Sequence, residues 1–294
     1  MNKQIHSLLH KWGYKVTNIA KREKELHDLV QGFAVQDDVH NLVFRSRHDL
    51  LTLKKHFPEL TLERYKEGVL ARFNNLKLYI ESPEEFFIIK EVFIEKDYNL
   101  LSKEKFVVFD IGMNIGISSL FFGLQKNVEK IYSFEPVLPT YNQAICNLEL
   151  NKEVSTKIEA FNFGLGGATR TEKVLYNSQA KGNCGIRLEL SLIIQKHNTQ
   201  EIEILIQSID TILPGLIAKH SGLKKVLKID CEGAEYEILQ KLSDSNLLID
   251  IDILLIEWHD KGAVILENIL IKNNFSVVSR FLTSITGMIY AFKQ

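Results

Sequence analysis

The chain has 294 residues, with 36 Lys and Arg against 37 Asp and Glu, a net charge of −1 and 45% hydrophobic residues. That balance fits one large folded domain, or a domain with an appendage, and makes no demand for a nucleic-acid partner. The cysteines, Cys146, Cys184 and Cys231, form no CxxC pair, which argues against a disulfide framework or a zinc cluster and for a reducing compartment.

The first 65 residues read as helical. Ile5, Leu8, Leu9 and Trp12 fall on one helical face, and Leu26, Leu29 and Val30 continue such a face on a later helix. Residues 1–75 carry 13 Lys and Arg against 9 Asp and Glu, so the acidic excess belongs to the remainder. Residues 69–80 alternate apolar and polar side chains around Asn74-Asn75, the pattern of a hairpin. Ser82-Pro83-Glu84-Glu85 then has an N-cap residue, a proline for the first turn and an acid three residues past the cap, which predicts a helix from 83 to about 95.

From Phe106 the period changes to alternating strands and helices. Short apolar runs at 106–110, 130–134, 157–162, 225–229 and 252–257 read as buried parallel strands. Helical patterns at 115–125, 137–150 and 233–242 separate most of them. A β-like pair at 171–176 and 201–206 brackets a polar stretch near Asn183, and two more strands, 274–280 and 287–292, end the chain. The expectation is an α/β fold: a Rossmann-like, mostly parallel seven-stranded sheet flanked by helices. No run approaches the roughly 18 apolar residues of a membrane span. With no apolar leader at residues 1–6, a cytoplasmic protein without a transmembrane segment is expected.

Chemistry concentrates where strands end. The first parallel strand runs into Asp110-Ile111-Gly112-Met113-Asn114-Ile115-Gly116. Gly112 permits a tight turn, and Gly116 a close approach of helix to sheet and ligand. The loop has neither the Lys of a phosphate-binding P-loop nor the G-x-G-x-x-G of dinucleotide sites. A nucleoside without pyrophosphate suits it, S-adenosyl-L-methionine among them, with Asp110 available to its ammonium group. The plain alternative is a glycine turn in another α/β protein. The second strand ends in Glu135-Pro136, and an acid there can accept hydrogen bonds from ribose hydroxyls; a solvated strand-end Glu is the alternative.

Three segments together, Asp110-x-Gly112-x-Asn114-x-Gly116, Phe134-Glu135-Pro136 and Leu227-Lys228-Ile229-Asp230-Cys231-Glu232-Gly233-Ala234-Glu235, resemble the FkbM-type methyltransferases. The resemblance spans about residues 69–294 and implies a class I methyltransferase fold using S-adenosyl-L-methionine, with O-methylation of a sugar or natural product. By the same resemblance, Asn151 matches an Asn at the end of a helix, and Asn162 and Phe163 fall in a turn near the adenine. The implied division is a helical extension, 1–65, and a methyltransferase domain, 66–294.

Asp230 ends an apolar strand, so its carboxylate overhangs the crevice. Glu232 and Glu235 open the next helix, where negative charge is favoured; simple capping accounts for either one alone. His259, at the end of the fifth strand, can take a proton from an acceptor hydroxyl as a neutral imidazole, and Glu257 can orient it. A surface or structural histidine is the alternative. Trp258 reads as packing, and Asn183 as a candidate for the acceptor pocket. The expected catalytic set is His259, Asp230, Glu232 and Glu257, and the expected cofactor set is Asp110, Gly112, Asn114, Gly116, Glu135, Asn162, Phe163 and Asp230. No resident metal is expected, although a divalent ion held by Asp230 and a neighbouring carboxylate would give a metal-assisted variant. A non-catalytic binding module is the rival of another class. The expected partner is a sugar or glycan-type acceptor, with residues 1–65 available to a partner enzyme or a second copy.

Overall fold

The computed structural model describes residues 18–33, 35, 37–100, 102–178, 181 and 199–294. The predicted face of Ile5, Leu8, Leu9 and Trp12, and the stretch around Asn183, lie outside the described residues.

Among the described residues three helices come first: α1 (Ile19–Gly32), α2 (Asp37–Arg45) and α3 (Arg47–His56). Asn18 caps α1, its Oδ1 accepting the Lys21 N–H at 3.0 Å, and Leu26 and Val30 are buried as expected. The helical reading fails at its end. Phe57-Pro58 cannot continue a helix, and β1 (Thr61–Tyr65) pairs antiparallel with β2 (Gly68–Phe73). β2 and β3 (Leu76–Ile80) form the predicted hairpin, with Phe73 opposite Leu76. Asn74 and Asn75 both take positive φ, 47° and 61°, which matches the hairpin turn to the right-handed twist of its strands.

The next helix, α4 (Pro83–Lys90), passes into a π-helical turn over Glu91–Glu95. The capping differs from expectation. Ser82 makes no side-chain cap bond, and Glu85 reaches back to the amide of Glu81 at 2.7 Å instead.

The remaining elements build the main sheet: β4 (Phe106–Ile111), α5 (Ile117–Leu124), β5 (Val128–Phe134), α6 (Leu138–Leu150), α7 (Lys152–Ser155), β6 (Ile158–Phe161), β7 (Gly164–Gly166), β8 (Arg170–Asn177), β9 (Thr199–Ser208), α8 (Ile209–Ala218), β10 (Lys224–Ile229), α9 (Glu235–Asp244), β11 (Ile253–His259), α10 (Val264–Lys272), β12 (Phe275–Phe281) and β13 (Thr286–Lys293). Seven strands pair in the order β12-β13-β11-β10-β4-β5-β6. The pairings β11·β10·β4·β5·β6 are parallel, and β13 is antiparallel to both β11 and β12. This is the expected Rossmann-like, mostly parallel seven-stranded sheet flanked by helices. The expected pair β8 and β9 forms a separate three-stranded sheet with β7.

Strand alternation divides the core. Phe106 and Val108 of β4 face a cluster with Ile117 and Leu120 of α5, Phe86 and Ile89 of α4, and Val30, Val43, Leu50 and Leu53 of the first helices. Val107, Phe109 and Ile111 face the opposite cluster, with Leu213 of α8, Ile238 and Leu239 of α9, and Leu266 of α10. Burial on both faces is why the strands read as unbroken apolar runs. The helices α1 to α3 thus share one core with the sheet. Among the described residues no helix is long and apolar enough to cross a membrane.

Candidate functional site

The carboxyl ends of β4, β5, β10 and β11 open into a cavity of about 590 Å³, within the usual range for small-molecule sites. Gly112, Asn114, Glu135, Asp230, Glu232, Glu257 and His259 all line it. Asp110, Gly116, Asn162 and Phe163 stand behind its wall. Thr286 at the start of β13, together with Glu91 and Tyr98 from the segment before β4, also lines it. Sequence reasoning passed over these three, because an isolated Glu, Tyr or Thr carries no positional signal.

At one end, the loop after β4 turns at Gly112, with φ 82°. A Cβ there would lie 1.8 Å from the carbonyl oxygen of Asp230, so only glycine lets β4 and β10 deliver their loops side by side. Asn114 also holds a positive φ, 51°, and its amide donates to Glu135 Oε2 at 3.0 Å. The other Glu135 oxygen accepts the amide of Val137 at 2.9 Å. Burial pushes the Glu135 carboxyl up to about 7 despite those two bonds. Asn162 donates to the Glu135 carbonyl at 3.0 Å, and Phe163 packs beside Phe134 and Phe161. Both support the Glu135 turn from outside the cavity.

Asp110 is fully buried and already engaged, and it does not face the cavity. Its Oδ2 accepts the hydroxyls of Ser118 and Ser119 at 2.7 and 2.6 Å. Its Oδ1 lies 3.0 Å from Nζ of Lys228, which is buried as well. Nζ also donates to the Gly112 carbonyl at 2.6 Å and sits 3.5 Å from Asp230 Oδ2. Burial works against the charge on Lys228, yet the carboxylates of Asp110 and Asp230 raise its pKa well above the ordinary lysine value. Lys228 thus ties the β4 loop to the β10 end. In the sequence it stands inside the third motif as a lone cation in the run Val226-Leu227-Lys228-Ile229, with no role assigned to it.

The opposite end is acidic. The Tyr98 hydroxyl donates to Asp230 Oδ2 at 3.1 Å and approaches Glu257 Oε2 at 3.5 Å. Burial, then the charge of Asp230, lifts Glu257 to about 8. Burial, then Glu257 and Asp230, lifts Glu91 to about 9. His259 is 3% exposed. Its Nδ1 lies 3.2 Å from Glu235 Oε1, which also accepts the His259 amide at 2.8 Å. Glu235 Oε2 takes the Gly233 amide at 2.8 Å, so this acid braces the site rather than merely capping α9. Burial lowers the His259 pKa, but the bond to Glu235 and the charge of Glu232 outweigh it and raise it to about 9. With no ion bound, that value favours the protonated ring near pH 7, whereas a general base needs the neutral imidazole. Glu232, with φ 50°, comes within 3.8 Å of His259 Nε2. Trp258 is buried and packs edge-on against Phe281, as its packing role required.

The chain is similar to known methyltransferases. Residues 110–276 match the model of the methyltransferase FkbM domain. A "Methyltransferase 1" from Beauveria bassiana is 28% identical over 176 residues, covering 54% of this chain and 68% of that protein. "Methyltransferase sdnD" from Sordaria araneosa is 26% identical over 216 residues, covering 66% of this chain and 83% of that protein. The crystal structure of methyltransferase FkbM from Methylobacillus flagellatus aligns over 93% of this chain and 60% of that one, with 17% identity and a TM-score of 0.46. With more than half of its length matched by the domain model, the chain belongs to the FkbM methyltransferase family.

Proposed function

We propose that this chain transfers a methyl group from S-adenosyl-L-methionine to a hydroxyl oxygen of a sugar, glycan or glycan precursor. The observation that carries the reading is Glu135. It is a buried carboxylate on the cavity wall at the end of β5, beside the Gly112 turn, held by two backbone amides. Residual lone pairs on such a group suit ribose hydroxyls. The absence of a lysine from the Gly112 loop suits a nucleoside without phosphates. Gly112, Asn114 and Glu135 would hold the donor, which supplies, when bound, a methyl group already activated by sulfonium charge.

The acidic end suits the acceptor. Tyr98, Asp230, Glu232 and Glu257 offer oxygens that orient sugar hydroxyls, and an ionised carboxylate among the three acids takes up the proton released on methylation. This charge favours a neutral polyhydroxylated acceptor over a sugar phosphate. Alignment of acceptor oxygen with methyl carbon is the chief contribution of the protein, and a positioned proton acceptor adds on the order of 10²–10⁴ in rate.

Calorimetry with S-adenosylhomocysteine tests the donor half. Mass spectrometry of cellular glycans with and without the gene tests the acceptor half, through the mass of one methylene. Saturable binding that Glu135→Ala removes supports the reading. A chain that binds no S-adenosylhomocysteine, or glycans unchanged by loss of the gene, overturns the corresponding half.

A further inference from the structure

We propose that Asp230, Glu257 and His259 bind a divalent first-row cation at the acidic end of the cavity, where it would hold the acceptor. One potential ligand atom from each of the three lies within 4.8 Å of the others. An ion with bonds of about 2.1 Å keeps its ligand atoms roughly 3.0–4.2 Å apart, so side-chain shifts of about an ångström close the set. The backbone beneath is firm. Glu257 and His259 are alternate residues on β11, and Asp230 directly follows the β10 segment whose Ile229 pairs with Ile256.

The second observation is how His259 is held. His259 is 3% exposed and lines the cavity. Its Nδ1 is held by Glu235, itself fully buried and fixed by the amides of His259 and Gly233. The nearest acids to Nε2 are Glu257 at 3.7 Å and Glu232 at 3.8 Å, beyond hydrogen-bond reach. A buried imidazole with one nitrogen fixed by a carboxylate and the other facing a cavity is the arrangement of a metal-ligating histidine, the ion displacing the proton that the second nitrogen carries without it. Tyr98, bonded to Asp230 and close to Glu257, steadies both carboxylates.

Two carboxylate oxygens and one imidazole nitrogen suit Mn²⁺, Fe²⁺ or Zn²⁺ rather than a thiophilic ion. Three protein ligands leave positions for acceptor hydroxyls. A hydroxyl bound there loses its proton to solvent more readily. Its oxygen then forms the new C–O bond as the S–CH₃ bond breaks, the electron pair staying on sulfur. This acceptor role rests on the methyl-transfer reading, whereas the ion site does not.

The test is a Mn²⁺ titration of the full chain, freed of metal by chelation and dialysis and followed by electron paramagnetic resonance. S-Adenosylhomocysteine binding is measured calorimetrically on the same samples. Saturable Mn²⁺ binding is expected, weakened about 10- to 100-fold by Glu235→Gln and abolished by Glu257→Gln, with S-adenosylhomocysteine binding retained. Glu257→Gln, on the cavity wall, keeps the test open should the buried Glu235→Gln variant fail to fold. Absence of saturable Mn²⁺ and Zn²⁺ binding in protein that binds S-adenosylhomocysteine overturns the site. So does Mn²⁺ binding that survives both Glu257→Gln and Asp230→Asn. Mn²⁺ binding without S-adenosylhomocysteine binding supports the site and overturns the donor assignment instead.

Discussion

Lys228 and Asp110 are register partners on the adjacent parallel strands β10 and β4, and their charged ends meet at 3.0 Å with both side chains buried. The pair sits directly beneath the two loops that shape the cavity. Lys228→Met removes the cation and leaves Asp110 with only its serine partners. The expected loss is about 3–5 kcal/mol in urea unfolding. The double variant Lys228→Met, Asp110→Asn should recover part of it, because no uncompensated buried charge remains.

Asn147 and Asn151 lie one turn apart on and just beyond α6 and bond to the outer edge of β3. Asn151 accepts the Lys77 amide at 2.9 Å and donates to the Lys77 carbonyl at 2.7 Å. Asn147 accepts the Tyr79 amide at 2.6 Å and donates to the Ile115 carbonyl at 3.0 Å, in the loop after β4. Each replacement by Ala should cost about 1–3 kcal/mol, since buried backbone groups lose their partners. Only Asn147→Ala should also weaken S-adenosylhomocysteine binding, as calorimetry on both variants would register.

The Glu135 carboxyl rises from 4.5 to about 7 on folding because burial disfavours its charge. The folded chain therefore holds a proton that the unfolded chain releases. This contribution is fully present below about pH 4.5 and is lost as pH rises through about 7, a change on the order of 3 kcal/mol. Thermal melts across that window should show the decline in the native chain and a flatter profile in Glu135→Gln. Because ribose hydroxyls bond to the charged form, donor affinity should rise over the same window with release of a proton, visible as a dependence on buffer ionisation enthalpy.

The two loop glycines differ in what they tolerate. A Cβ at Gly112 would stand 1.8 Å from the Asp230 carbonyl oxygen, whereas one at Gly116 would meet Ala144 at an ordinary 3.6 Å. Both have positive φ, 82° and 88°. Gly112→Ala should yield little folded protein. Gly116→Ala should fold, with a loss of about 1–2 kcal/mol from backbone conformation alone. Comparable soluble yields and melting temperatures for the two variants would refute the distinction.

Much of this protein was legible in the chain because its informative residues sit at strand ends. Doubly buried strands read as apolar runs, so β4, β5, β10 and β11 and the acids that terminate them were placed within a few residues. α8 and α10 went unread: Pro214 and Gly215 interrupt the pattern of the first, and the second is apolar on most sides. What the sequence determined by itself was the alternating strand order, the Gly112 turn, and the carboxylates Glu135, Asp230 and Glu257 around one crevice. Only the tertiary structure decided their chemistry. It turned Asp110 inward to Lys228, brought Glu91 and Tyr98 to the acidic end from outside the recognised motifs, and surrounded His259 with Glu235, Glu232 and Glu257. Burial and opposing charge together set a protonation state, and neither can be read until residues distant in sequence share one cavity.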